Sequence, residues 1–399
     1  MIIFSGLGGA IAGLGIILLI AYNWHELHRF TKLGIIFSGM LSLHLWGLRL
    51  FLKNERWRQF GDALCLGGSM LFGAGIWLVA QVYHIEEHFP NGFLIWGLGA
   101  LTFAWVMPSI VQGLLAVIVL CIWGCTEAWA FDHALHLAPV FMLLSCGVLA
   151  WRLRSVLLLT ISLAAFVLSL CANVSTVESN LTFRFLVSCS TAFAGIAVLT
   201  EWGTAFPKSS RVWQFFGWGG FLLCLYLLTF PSITEDLLGW REPRQQTGSP
   251  MIWLYQWTPL LLSLAVWGIL GWRLRTQKNS DQELVGFESW LLPLSAVLCH
   301  VLALARFTED KWFVASVFNL VFLALAAAWM ARGARKGLVQ PMVLGSVLLV
   351  ALASARFFDL FESLAVRGFV FVMVGGILAV EGALFRKARR PAELPPLKP

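Results

Sequence analysis

Apolar runs of bilayer-crossing length recur along the whole chain, and they limit its fold more than any other feature. A stretch of about 18 or more apolar residues reads as a transmembrane helix, since a helix satisfies its own backbone groups where no water can. The runs predict about fourteen spans (12–14), near residues 2–22, 33–52, 61–83, 93–107, 109–129, 135–151, 155–174, 183–200, 211–231, 252–272, 288–306, 311–331, 338–354 and 367–385. The expected fold class is all-α: a polytopic integral membrane helical bundle. Span 93–107 is short, and Pro108 implies a tight hairpin or a broken helix there.

Composition agrees. Hydrophobic residues make up 59% of the chain, charged residues 12%, and the mean hydropathy is +0.80. A soluble domain carries charge on roughly a quarter of its residues. The 20 tryptophans suit the lipid interface. The net charge of +7 therefore reads as membrane topology, and no basic, aromatic-interleaved soluble segment suggests a nucleic-acid partner. The start, "MIIFSGLGGAIAGLGIILLIAYNW", has no basic leader or small-x-small cleavage site and reads as a retained first span. None of the eight cysteines forms a C-x-x-C pair, so they read as small buried hydrophobes.

Lysine and arginine placement gives orientation. With an even span count both termini share a side, and the basic tail "FRKARRPAELPPLKP" puts that side in the cytoplasm. The basic loops "RLFLKNERWR", "WRLR", "PKSSR", "WRLRTQK" and "ARGARK" then fall there too. A single transmembrane domain is expected over 1–390, with a cytoplasmic tail at 391–399. Within it, Gly13–His28 ("GLGIILLIAYNWHELH") and Gly73–His88 ("GAGIWLVAQVYHIEEH") align without gaps. "ALARFTEDKW" and "ASARFFDLFE" form a weaker pair. These predict hairpin repeats near 10–50 and 70–110, and near 290–335 and 340–388.

The chemistry-bearing residues gather on the outward side of this topology. His25, Glu26, His84, Glu86 and His88 form a polar rim suited to proton coupling, because histidine changes charge near physiological pH. Arg306, Arg356 and Arg367, with Asp359, read either as clamps between helix ends or as a binding site for an anionic group. The spacing of "HIEEH" matches a reversed zinc-protease pattern. If helix continues past Tyr83, His84 and His88 share one face; His133 and His136 are further candidates for a composite metal site. Zinc is the one cofactor this pattern admits, and none is otherwise predicted. A polar rim without metal is the reading the short match favours. Inside the spans, His44 and His300 are either functional or satisfied by a carbonyl one turn away. Glu127, near an outward helix end, is expected to reach water, and Gln81 to bond between helices.

The segments "GIILLIAYNWHEL" and "GAGIWLVAQVYHI", followed by Trp96, resemble the N-terminal signature of a predicted bacterial membrane-protein family, domain-of-unknown-function family 2157. "ARFFDLFESLAVRGFVFVMVGGILAVEGALFRKARR" is similar to the ends of those proteins. The resemblance covers residues 10–110 and 350–390 and implies a bacterial inner-membrane location. It brings no activity and no catalytic residues. Span count, repeats and rim together predict a transporter or flippase of an anionic or amphipathic envelope substrate. The alternatives are a non-catalytic scaffold docking other inner-membrane proteins, and a membrane-embedded enzyme with a metal or carboxylate at the helix ends. There is no Walker motif, no G-x-S-x-G and no H-E-x-x-H, so an enzyme is the less favoured reading. The lipid bilayer is the expected partner in every case.

Overall fold

The computed structural model describes residues 28–53, 55–85, 88–177, 179–201, 205–237, 250–276, 286–305, 311–359 and parts of 368–380. All regular structure among the described residues is helical. Seven of these helices are long and apolar enough to cross a membrane, and four shorter ones are also apolar. Each expected span from the second to the thirteenth coincides with a helix. The first, 2–22, lies outside the described residues, as does much of the last. Residues 1–173 and 174–399 form two compact units.

The first unit begins with α1 (Arg29–Lys53) and α2 (Glu55–Tyr83), an antiparallel pair closed by glycines. A Cβ at Gly61 would lie 2.6 Å from the Gly47 carbonyl oxygen and from Phe51 N, so only hydrogen fits at this crossing. The other face of α1 leaves Leu41, Leu45 and Trp46 exposed, as a lipid-facing surface would. α3 (Pro90–Val106) starts on a proline, whose missing N–H costs nothing in a first turn. The Met107–Pro108–Ser109 turn makes the tight-hairpin alternative the observed one, and Ser109 caps α4 (Ile110–Phe131) by accepting the Gln112 N–H at 3.2 Å. α5 (Ala138–Arg152) contains one π turn, Leu143–Gly147, and α6 (Val156–Val177) follows. The core lies between α3, α4 and α5, where Ala100, Leu101, Ala116, Leu120, Met142 and Cys146 are buried together.

The second unit contains α7 (Ser179–Glu201). A continuous rod, α8, runs through Ser209–Gln214, a π turn Phe215–Gly219, and Gly220–Leu227. The short α9 (Pro231–Leu237) and α10 (Pro250–Thr276) come next. α11 (Leu291–Ala305), α12 (Lys311–Lys336) and α13 (Val339–Asp359) follow. Phe221, Leu225, Trp267, Leu292, Phe318 and Phe322 share its apolar core. Polar ties cross that core. Trp267 donates to the Thr191 carbonyl at 2.9 Å, Thr191 and Ser263 hydroxyls meet at 2.7 Å, and Arg332 pairs with buried Glu288. Each removes an unsatisfied group from an interior where one would cost several kcal/mol, on the order of 2–7.

Candidate functional site

Two helix ends in the first unit build a polar cluster. α2 does not continue past Tyr83: His84 turns left-handed (φ 53°), and the Ile85 N–H closes the helix onto the Ala80 carbonyl at 2.9 Å. The shared helical face expected for His84 and His88 is thereby broken. α4 ends the same way. Asp132 is left-handed (φ 53°), and its N–H and that of His133 return to the Glu127 carbonyl. That reversal folds His133 back over the last turn of α4.

Glu127 occupies the centre. Its side chain is only 4% exposed, and its Oε2 accepts from His88 Nε2 at 2.8 Å and from His133 Nδ1 at 3.2 Å. A carboxylate oxygen in its ionised form only accepts, and each histidine would then present a protonated ring nitrogen to it. The Phe131 ring meets the His88 ring at 4.2 Å between centroids and Phe89 at 5.2 Å. The cluster is open on its histidine side, where His88 and His133 are partly exposed. The expectation that Glu127 simply reaches water is corrected. The carboxylate is buried because two loops bring it hydrogen-bond donors.

His88 also belongs to an apolar groove of about 570 Å³. Phe37 and Met40 of α1, Phe72, Ile76 and Val79 of α2, and Ile95 of α3 form its walls. Gln81, His88 and Asn91 supply polar atoms among the lining residues. Gln81, expected to bond between helices, is an exposed lining residue here. The groove can seat a flexible apolar chain, with the histidine–carboxylate cluster beside its polar residues.

The other predicted residues distribute differently. His25, Glu26, Glu86, Arg306 and Arg367 lie outside the described residues, as does the side chain of Asp359. His84 is exposed and His136 is half-buried. Among the described residues no group of three or more His, Cys, Asp or Glu side chains is placed to hold a metal ion. Arg356, in the second unit, donates to the Thr229 carbonyl at 2.6 Å and lies 5.4 Å from the Phe230 ring centroid. Asn319 donates to the same carbonyl at 3.0 Å. These contacts tie α13 and α12 to the turn after α8, as a helix clamp does.

His44 and His300 both use the carbonyl one turn back, Met40 O and Ala296 O, each at 2.9 Å. The second ring nitrogen of His44 faces Ser69 Oγ at 3.4 Å, and that of His300 faces Gln256 O at 3.1 Å. Gln256 stands one turn before Pro259, the proline inside α10. An imidazole with one ring proton donates to only one of the two carbonyls it faces, Ala296 O or Gln256 O.

Apolar helices in this number, arranged as hairpins, define a multi-pass helical membrane protein. Residues 1–113 match the model of a family described as "Predicted membrane protein (DUF2157)", which is what this part of the chain is similar to. The matched segment contains His88 and the walls of the groove, and it stops before Glu127 and His133. No curated protein and no solved structure matches the chain.

Proposed function

We propose that the first unit binds an amphipathic envelope molecule and moves it across the bilayer, as a transporter or flippase does. The observation that carries this reading is buried Glu127, held by two histidines beside an apolar groove that shares His88. A carboxylate removed from water at a helix end is costly and tends to mark function. The groove takes the substrate's apolar chain. The cluster takes its polar end and exchanges protons through His88 and His133, whose partial exposure gives them contact with water. Arg306 and Arg367 are assigned to an anionic group by charge alone, and Arg356 is read as a clamp on Thr229. The basic loops support a bacterial inner-membrane location with both termini in the cytoplasm.

Fluorescent-lipid translocation in proteoliposomes tests the reading. Protein-dependent translocation should exceed that of empty vesicles and fall about tenfold in Glu127→Gln, a change of 1.4 kcal/mol in barrier. Translocation at the empty-vesicle level from well-folded protein, or full activity in Glu127→Gln and His88→Ala, would remove the assignment and favour a scaffold.

A further inference from the structure

The groove of the first unit carries its polar side chains at one end. Gln81 closes α2, Asn91 opens α3, and His88 lies between them. Phe37, Phe72, Trp77 and Phe89 line the walls, together with Met40. Among the described residues no lysine or arginine lines it. Its volume of about 570 Å³ falls within the range of small-molecule sites, about 300–1,000 Å³. Phe37, Phe89 and Ile95 stay exposed, as they would in a groove open to the lipid phase.

The formal charge behind the polar end is negative. Glu127 Oε2 stands 2.8 Å from His88 Nε2. With Glu127 ionised, His88 turns an Nε2–H to it, and the neutral ring then carries a bare lone pair on Nδ1. Nδ1 has no protein partner among the described residues. A ligand at this end therefore meets an acceptor in His88, with the amide oxygens of Gln81 and Asn91 among the lining residues. Aromatic faces add to the attraction, since each holds a cation within about 6 Å of its centroid. Phe131 lies 4.2 Å from the His88 ring and Phe89 lies 5.2 Å from Phe131, so two such rings stand at the polar end. An anionic head would meet like charge from Glu127 and no cation in the walls. Met40 lets the wall adjust to different shapes, because its unbranched thioether is flexible and polarizable.

We propose that this groove is a site for lipophilic cations, ammonium groups on an apolar or aromatic body, and that each one bound displaces a proton from His88. The inference names the substrate class and rests on the reading of the groove as a binding site. The ammonium N–H donates to His88 Nδ1, the aromatic walls hold the charge, and the apolar body lies along Phe72, Ile76 and Val79. Protonated His88 has no lone pair to offer and carries the ligand's own sign. In the exchange the Nδ1 proton leaves to water as the cation arrives, so the charge of the site is unchanged. By linkage, proton and cation lower each other's affinity by the same factor. His88 is faced by Glu127 and, across that carboxylate, by His133. The other titratable groups at this end are His28, Arg29 and Lys32 on the α1 side, Tyr83 and His84 at the close of α2, and Asp132 and His136 after α4. None of them lines the groove. Glu86 and Glu87 lie outside the described residues.

The test is equilibrium binding to the purified full chain in nanodiscs of zwitterionic lipid, with empty nanodiscs as the blank. Three probes share a dodecyl chain and differ in the head: dodecylammonium, dodecanol and dodecanoate. At about pH 8 the ammonium should bind at least about tenfold more tightly than the other two. At about pH 5 its affinity should fall at least about fivefold, although an alkylammonium stays charged at both values. Proton release on binding, read in weak buffer, and the pH dependence should both vanish in His88→Ala. Phe89→Leu should weaken the ammonium and leave dodecanol unchanged. The head and pH series on the wild-type chain stand whether or not a variant folds. Dodecanoate binding as tightly as dodecylammonium overturns the charge assignment. Ammonium affinity that is equal at both pH values, or proton release undiminished in folded His88→Ala, overturns the exchange. Failure of all three probes to exceed the blank removes the groove as a site, and with it the reading this inference rests on. The expected ammonium binding, found together with lipid translocation at the empty-vesicle level, supports the cation site and removes only the lipid movement.

Discussion

Glu127 shows what a single residue decides here. Replacing it with alanine takes away the acceptor of both His88 Nε2 and His133 Nδ1. Stranding a buried donor costs about 1–3 kcal/mol, but these histidines are 36% and 64% exposed and recover part of the loss from water. Glu127→Ala should therefore lower stability by only about 1 kcal/mol, seen as a small drop in the thermal midpoint in detergent. A loss above about 4 kcal/mol would mean that the carboxylate holds more than these two side chains. The sequence marked His88 and His133 as polar candidates, from their place at the ends of apolar runs. It did not mark Glu127 as their centre. The one available signal was a lone carboxylate six residues before His133, and spacing along a chain does not reveal a left-handed reversal at Asp132.

At the scale of elements, close helix packing and carbonyl clamps carry the load. In the α1–α2 hairpin a side chain at Gly61 meets backbone, not a movable side chain, because Gly47 O and Phe51 N lie 2.6 Å from its Cβ position. Gly61→Leu should cost about 1–3 kcal/mol through overpacking; Gly34→Leu, where nothing lies within 4 Å, should cost little. Thermal unfolding of the two variants side by side checks the contrast, and equal midpoints would contradict the packing argument. In the second unit, Arg356→Ala removes a 2.6 Å bond to Thr229 O. It should destabilise by about 1–2 kcal/mol, and Arg356→Lys should restore less than half, because an ammonium has no planar face for Phe230. Full rescue by lysine, measured by urea or thermal unfolding, would show that charge alone matters. Arginine at a helix end left clamp and anion site open in the sequence. The contact to Thr229, 127 residues away in the chain, forms only once the helices have packed.

For the whole molecule, the orientation inferred from basic loops makes one direct prediction. Reporter fusions at Lys53 and Pro90 should land on opposite faces of the membrane, Lys53 in the cytoplasm. Both on one face, or the reverse arrangement, would remove the proposed envelope-facing site. Hydropathy is a local property of the covalent chain, because each run must itself span the bilayer and satisfy its own backbone. For this reason the helical class, and a helix at each expected span from the second to the thirteenth, were legible in the sequence alone, whereas the short α9 and the choice of a hairpin at Pro108 were not. Nor was the meeting of particular polar groups. A helix turns 100° and rises 1.5 Å per residue, so contact across an interface depends on the rotation and height of each rod to within a residue. Packing sets both. The joining of His88 and His133 on Glu127, and the distant second partners of His44 and His300, Ser69 and Gln256, were therefore decided only by the tertiary structure.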